Sequence, residues 1–286
     1  MKRFLFFLVS LCFVHVAFAQ HSEHYFISII DTTKNKELQL AALDSLIQKN
    51  KNTNITAFTN YSEQYINLAI ELKRYEQAIK KTIRSSFGFN VQLGQGKKAL
   101  ELLQKIEKFK DKTSDSFLLG SIYLKKGGVY FNGNDFHKAI KNYTLAIDAF
   151  SPNDSIFTAD AIFFRGKGNF EIGVHINAIN DYKLAAVYYQ NLKDTDYFFQ
   201  TQVCIINIYD INGFHKKAIA ERKKIIHAKK ALKINQNLYL DYYNQAHSYK
   251  QLGNSGKQEE SLIKAKELLL HDNDEANMLS FIYGGF

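Results

Sequence analysis

The chain predicts an all-α fold, a solenoid of helix hairpins, on three observations. A small residue recurs at Ala99, Ala139, Ala178 and Ala218, with Gln258 in the last place, at spacings of 40, 39, 40 and 40 residues. A period of this size marks stacked supersecondary units. The 286 residues contain a single proline, Pro152, so long uninterrupted helices are open to the chain. Apolar residues fall at helical spacing between turns built from glycine and asparagine. The stretch Gly127 to Ala146, GGVYFNGNDFHKAIKNYTLA, combines all three features.

Taken in order, residues 1–19 read as an address. Lys2 and Arg3 are followed by an apolar run from Phe4 to Phe18, and Ala17-Phe18-Ala19 before Gln20 has the small-x-small pattern of a cleaved secretory signal. The expected location is therefore exported, periplasmic or envelope-associated. Residues 20–35 read as an irregular linker, and 36–73 as a degenerate first hairpin with helices near 36–47 and 55–72. Residues 74–272 hold the clearer repeats, with helix pairs 75–93 and 97–110, 114–131 and 135–150, 155–172 and 175–190, 196–211 and 214–233, and 237–252 and 255–270. Residues 273–286 form a short apolar tail that caps the last hairpin. Glycine or asparagine closes the first helix of each pair, because a left-handed residue ends a helix at little steric cost. The loops between pairs, at 111–116, 151–155 and 193–196, carry Asp, Ser and Thr that start the next helix.

Composition bounds the function. Hydrophobic residues make up 46% and charged residues 23%, an ordinary globular usage that excludes disorder. The seventeen tyrosines and twenty-three phenylalanines are read as helix-packing rings. Removing the signal takes two of the 37 basic side chains and none of the 28 acidic ones, a formal +7. It also leaves Cys204 alone, so no internal disulfide forms, and its apolar flanks read as those of a buried small residue. No apolar run after residue 20 approaches a membrane span.

At this point the chain resembles the tetratricopeptide repeat (TPR) family. The fullest match is Gly127, Tyr130, Gly133, Phe136, Ala139, Tyr143 and Ala146. A second has Gly166, Gly173, His175, Ala178, Tyr182 and Ala185, with Asn169 where an aromatic is expected. A third has Tyr209, Gly213, His215 and Ala218, with Ile206 in place of the small residue and Arg222 in place of the bulky one; Ala246, Tyr249, Gly253, Leu262 and Ala265 recover the pattern. The resemblance implies a right-handed superhelix whose first helices line a concave groove for a peptide or a partner's helix. By repeat register the groove candidates are Arg84, Leu124, Phe131, Phe163, Lys167, Phe170, Asn207, Asp210, Tyr243, His247 and Lys250. They lack the Lys/Asn set with which co-chaperone members clamp a terminal carboxylate.

Catalytic chemistry is not written in the chain. There is no G-x-S-x-G, H-E-x-x-H, C-x-x-C or phosphate-binding G-x-x-x-x-G-K-[ST]. Gly166-Lys167-Gly168 reads as close helix packing, the equivalent His175 and His215 as aromatic-like spacers on one side of the array, and Asp272 to Glu275 as a capped helix start. No enzyme activity, cofactor or metal is expected.

The strongest charge feature runs from Lys216 to Lys233, with eight basic residues against Glu221. Lys216, Lys217, Lys223, Lys224 and Lys230 are the candidates for a basic face, either simply solvated or docked on an anionic lipid or polyanion; nucleic acid is not an expected partner for an exported chain. The leading expectation is an interaction scaffold in the cell envelope that binds a protein segment in its groove. The alternatives are the sensory input module of a membrane-bound regulator with a separate output chain, and anionic docking through the basic helix.

Overall fold

The computed structural model describes residues 22–151 and 154–271; the signal and the tail after 271 lie outside them. Thirteen α-helices and no strand occur among the described residues. They are α1 (Glu23–Thr32), α2 (Lys36–Asn50), α3 (Ile55–Glu71), α4 (Tyr75–Phe87), α5 (Gly96–Glu107), α6 (Ser116–Asn132), α7 (Phe136–Ala149), α8 (Ser155–Glu171), α9 (His175–Asn191), α10 (Thr195–Ile211), α11 (His215–Ala231), α12 (Leu238–Gln251) and α13 (Ser255–His271). From α2 onward they pair as six consecutive hairpins. Two compact units divide inside α8, at Ala161 and Ile162.

Local chemistry sets the boundaries. Asp115, Asp135 and Asp194 accept bonds from the free N–H groups of Leu118, Lys138 and Tyr197 and so start α6, α7 and α10. At the turns inside hairpins, Gly173 and Gly213 take φ of 76° and 79°, which a side chain would strain. In the Asn132-Gly133-Asn134 turn the left-handed residue is Asn134, at φ 59°. Helix α4 runs directly into a π-helical turn, Gly88–Gln92, where Gly88 lies against Ile55, Phe58 and Thr59 of α3.

Residues 20–35 are not irregular as expected. Ser22 caps α1, and Phe26, wholly buried, packs against Ala42 and Leu46 of α2. The spacing Phe26, Ile29, Ile30 is helical, but the segment is only ten residues long and gains its order from α2 rather than from its own propensity.

In the first unit, a side chain at Gly127 would meet the Tyr143 ring at 2.5 Å, so the missing Cβ admits the ring that closes the α6/α7 hairpin. In the second unit Gly166 does the same for Tyr182 at 2.9 Å. The α10/α11 hairpin solves the contact differently. Ile206 fills the glycine's place and Arg222, at the tyrosine's, is 0% exposed. Its Nη2 donates to Asp210 Oδ2 at 3.0 Å and Asn207 Oδ1 at 3.1 Å. Asn169 likewise replaces a ring with a polar link: its amide donates at 2.9 Å to Asp181, which also receives Arg165 at 2.7 Å.

Candidate functional site

Two first helices of the second unit, α10 and α12, face a cleft of about 540 Å³. Helix α10 contributes Gln200, Val203, Cys204 and Asn207, and α12 with the residue before it contributes Asn237, Leu240, Asp241 and Asn244. The α10 set follows i, i+3, i+4, i+7, the spacing of a single helical face; on α12, Leu240, Asp241 and Asn244 share one face, and Asn237 is the left-handed residue just before the helix. Tyr197 and Phe199 of α10 also line it, as do Ile234 and Gln236 from the loop before α12.

The floor is a buried ion pair. Lys229 Nζ lies 2.7 Å from Asp241 Oδ2, with the two residues 5% and 2% exposed, and the ammonium stands 5.7 Å from the Phe199 ring centre. Burial pushes the Asp241 carboxyl above its ordinary range, against the pull of the Lys229 bond. The Cys204 thiol is also pushed up by burial and bonds to Tyr182; it is not poised as a nucleophile. Above this floor, the amides of Gln200, Asn207, Gln236, Asn237 and Asn244 present both donors and acceptors. That is the equipment for reading the alternating N–H and C=O of an extended peptide, with Val203, Ile234 and Leu240 offering apolar contact.

Of the groove candidates only Asn207 lines this cleft, and its Oδ1 is already engaged by Arg222. Phe163 is 1% exposed and packs its ring on Tyr182, Tyr189 and Tyr197. It is core and cannot touch a partner. Asp210 is consumed internally, bound by Arg222, by His215 at 3.2 Å and by the Ser248 hydroxyl at 2.8 Å. Leu124 packs against the cluster of Ala146, Phe150 and Ala161, Phe131 sets its ring against Phe136, and Tyr243 joins the apolar cluster around Tyr242. Lys167 lies near the rings of Phe163 and Phe164, and Phe170 stacks on His175. Arg84, His247 and Lys250 are exposed but outside the cleft. The register is turned: Tyr243 precedes Asn244 by one residue, about 100° around the helix. The histidines have separate partners, His175 with Asn212 and His215 with Asp210.

No protein-family model matches the chain, and no curated protein does. Solved structures do match. A signal transduction ATPase with numerous domains and a tetratricopeptide repeat sensor, from Pyrococcus horikoshii, aligns with a TM-score of 0.66 at 13% identity, over 90% of this chain and 40% of its own. A kinesin light chain from Podosopora anserina with nearly identical TPR-like repeats gives 0.58 at 13%, over 68% and 97%. YrrB, described as a TPR protein with an unusual peptide-binding site, gives 0.51 at 18%, over 77% and 98%. The fold is TPR-like. At these identities the likeness concerns architecture alone.

In this TPR-like array the basic run of α11 is less uniform than its sequence. Arg222 and Lys229 are buried counter-charges to Asp210 and Asp241. The candidates Lys216, Lys217, Lys223, Lys224 and Lys230 are all exposed. Lys224 pairs with Glu221 at 2.8 Å, Lys217 lies 4.0 Å from the Tyr209 ring centre, and Lys223 and Lys230 turn toward α12 and α13. Among the described residues no three His, Cys, Asp or Glu side chains gather as a metal site, and no helix is long and apolar enough to cross a membrane.

Proposed function

We propose that the chain is a non-enzymatic interaction scaffold that holds an extended segment of a protein partner in the cleft between α10 and α12. The observation that carries this reading is the ring of amide side chains over a neutralised, buried Lys229–Asp241 floor. A peptide main chain is the ligand whose groups those amides match. The peptide-binding site named for YrrB, a protein of similar architecture, supports the same mode of action. We further propose that the scaffold works outside the cytoplasm, on the strength of Lys2, Arg3, the apolar run and the Ala17-Phe18-Ala19 cleavage pattern.

A random-peptide display library selected on the purified protein tests the groove. Among the described residues the side chains of Gln200 and Asn244 make no hydrogen bond or ion pair to another element, so Gln200→Ala with Asn244→Ala should leave the fold intact. The enriched peptides should bind this double variant at least about tenfold more weakly, the loss expected for two or more peptide hydrogen bonds. Peptides that bind both proteins equally would place recognition elsewhere.

A further inference from the structure

Three helices of the second unit each present a pair of residues, seven apart, to one cleft on another side of α12. They are Lys223 and Lys230 on α11, Tyr242 and Tyr249 on α12, and Lys257 and Lys264 on α13. Seven residues are two helical turns, so each pair shares a face. The cleft has a volume of about 330 Å³. Each tyrosine ring stands beside two ammonium groups. Lys223 and Lys257 are 5.9 and 5.7 Å from the Tyr249 ring centre, and Lys230 and Lys264 are 5.2 and 6.0 Å from that of Tyr242.

The rings attract these cations but neutralise none of them. Among the described residues the one carboxylate lining the cleft is Glu260, which is bonded to Lys264. Four ammonium groups against one carboxylate leave three formal positive charges in excess. Lys264 first, with Lys257 and Lys223 behind it, holds the Glu260 carboxyl below its usual range, so lysines from two helices act on one point in the cleft. A second observation comes from the wall. Gln245 is 5% exposed and accepts from the Ser261 hydroxyl at 3.4 Å through Oε1, while its buried Nε2 has no partner among the described residues. A buried donor without an acceptor is costly, and since Gln245 lines the cleft, a turn of its side chain would bring the amide to an oxyanion there.

We propose that this cleft binds a compact polyanionic group, a phosphate or sulfate ester, with the ammonium groups of Lys223, Lys230, Lys257 and Lys264 around it and the Gln245 amide donating from the wall. Like charges held close in this way repel until an anion joins them. A volume near the lower end of small-ligand sites admits the anionic group with its first attached ring or chain. The site is separate from the peptide cleft, which uses Leu240, Asp241 and Asn244 of the same helix and Asn237 just before it.

The test titrates the full chain with inorganic pyrophosphate by calorimetry and floats it with vesicles of two parts phosphatidylcholine to one part phosphatidic acid. Lys230→Ser with Lys257→Ser removes two charges from the cleft; Lys216→Ser with Lys224→Ser removes two from the exposed face elsewhere. Pyrophosphate should saturate a single site, the cleft pair should weaken it about a hundredfold and the outside pair by less than about threefold. Gln245→Leu should weaken it about tenfold with no fall in the thermal midpoint. Pyrophosphate binding without flotation identifies a soluble ester as the ligand, and flotation that pyrophosphate competes away identifies a lipid headgroup; both support the site. Equal losses from the two lysine pairs, or no saturable binding of either probe, would overturn it.

Discussion

Gly127 and Gly128 are neighbours in α6 with opposite duties. A methyl group at 127 runs into the buried Tyr143 ring, whereas at 128 it meets nothing within 4 Å. Gly127→Ala should therefore destabilise the chain by about 1 to 3 kcal/mol through overpacking. Gly128→Ala should stabilise it by roughly 0.5 to 1 kcal/mol, because alanine is the better helix former and the less flexible unfolded residue. Urea midpoints of the two variants check both signs at once; a shared sign would show that the ring moves aside freely. The sequence placed Gly127 and Tyr143 in one repeat motif, whose spacing returns at Gly166 and Tyr182. It marked Arg222 only as a departure from that motif, since whether a buried arginine has a counter-charge depends on which faces of α10 and α12 turn toward it. Asp210 and Ser248 answer that question only in three dimensions.

At the scale of the element, helix positions were legible and helix faces were not. Capping residues, left-handed turns and apolar spacing are local, so the segments from Lys36 onward could be read directly. The cleft between α10 and α12 arises where two helices about forty residues apart expose one face each, and a single residue's rotation separates Asn244 from Tyr243. The polar amides recurring at Gln200 and Asn207, and at Asn237 and Asn244, were the signal available; reading by analogy with repeat register hid it. Helix α1 was missed for another reason, because its stability resides in α2. Phe26→Ala should accordingly raise amide exchange across residues 23–32 by tenfold or more, an opening of at least ~1.4 kcal/mol, while α4 and α5 keep their protection. Uniform acceleration over the first unit would instead make α1 part of its cooperative core.

For the whole molecule, the aromatic load becomes an alkaline liability. Burial, aided by Asp44, raises the Tyr65 phenol to about 12, and burial raises those of Tyr143 and Tyr182 as well. In the unfolded chain tyrosine ionises near 10.0. Above that pH the unfolded state loses protons that the folded state keeps, so stability is fully present below pH 10 and falls as the pH rises toward 12. Urea midpoints should decline through this window, and less steeply in Tyr65→Phe, which no longer titrates there. A midpoint that stays level from pH 10 to 12 would show the rings ionising in place.

The bonds that gather on Asp210 also bear on how such an array can change its length. One carboxylate takes Arg222 from its own hairpin and Ser248 from the next. A solenoid is usually imagined as interchangeable beads, lengthened or shortened by copying or deleting a unit. Here a copied hairpin spliced in after α11 would part Asp210 from Ser248, and a lost α10 would strand a wholly buried guanidinium. This stretch of the array is therefore joined by chemistry as well as by shape, because the Asp210 bonds cross from one hairpin to the next, whereas the Gly127 and Tyr143 contact stays within one.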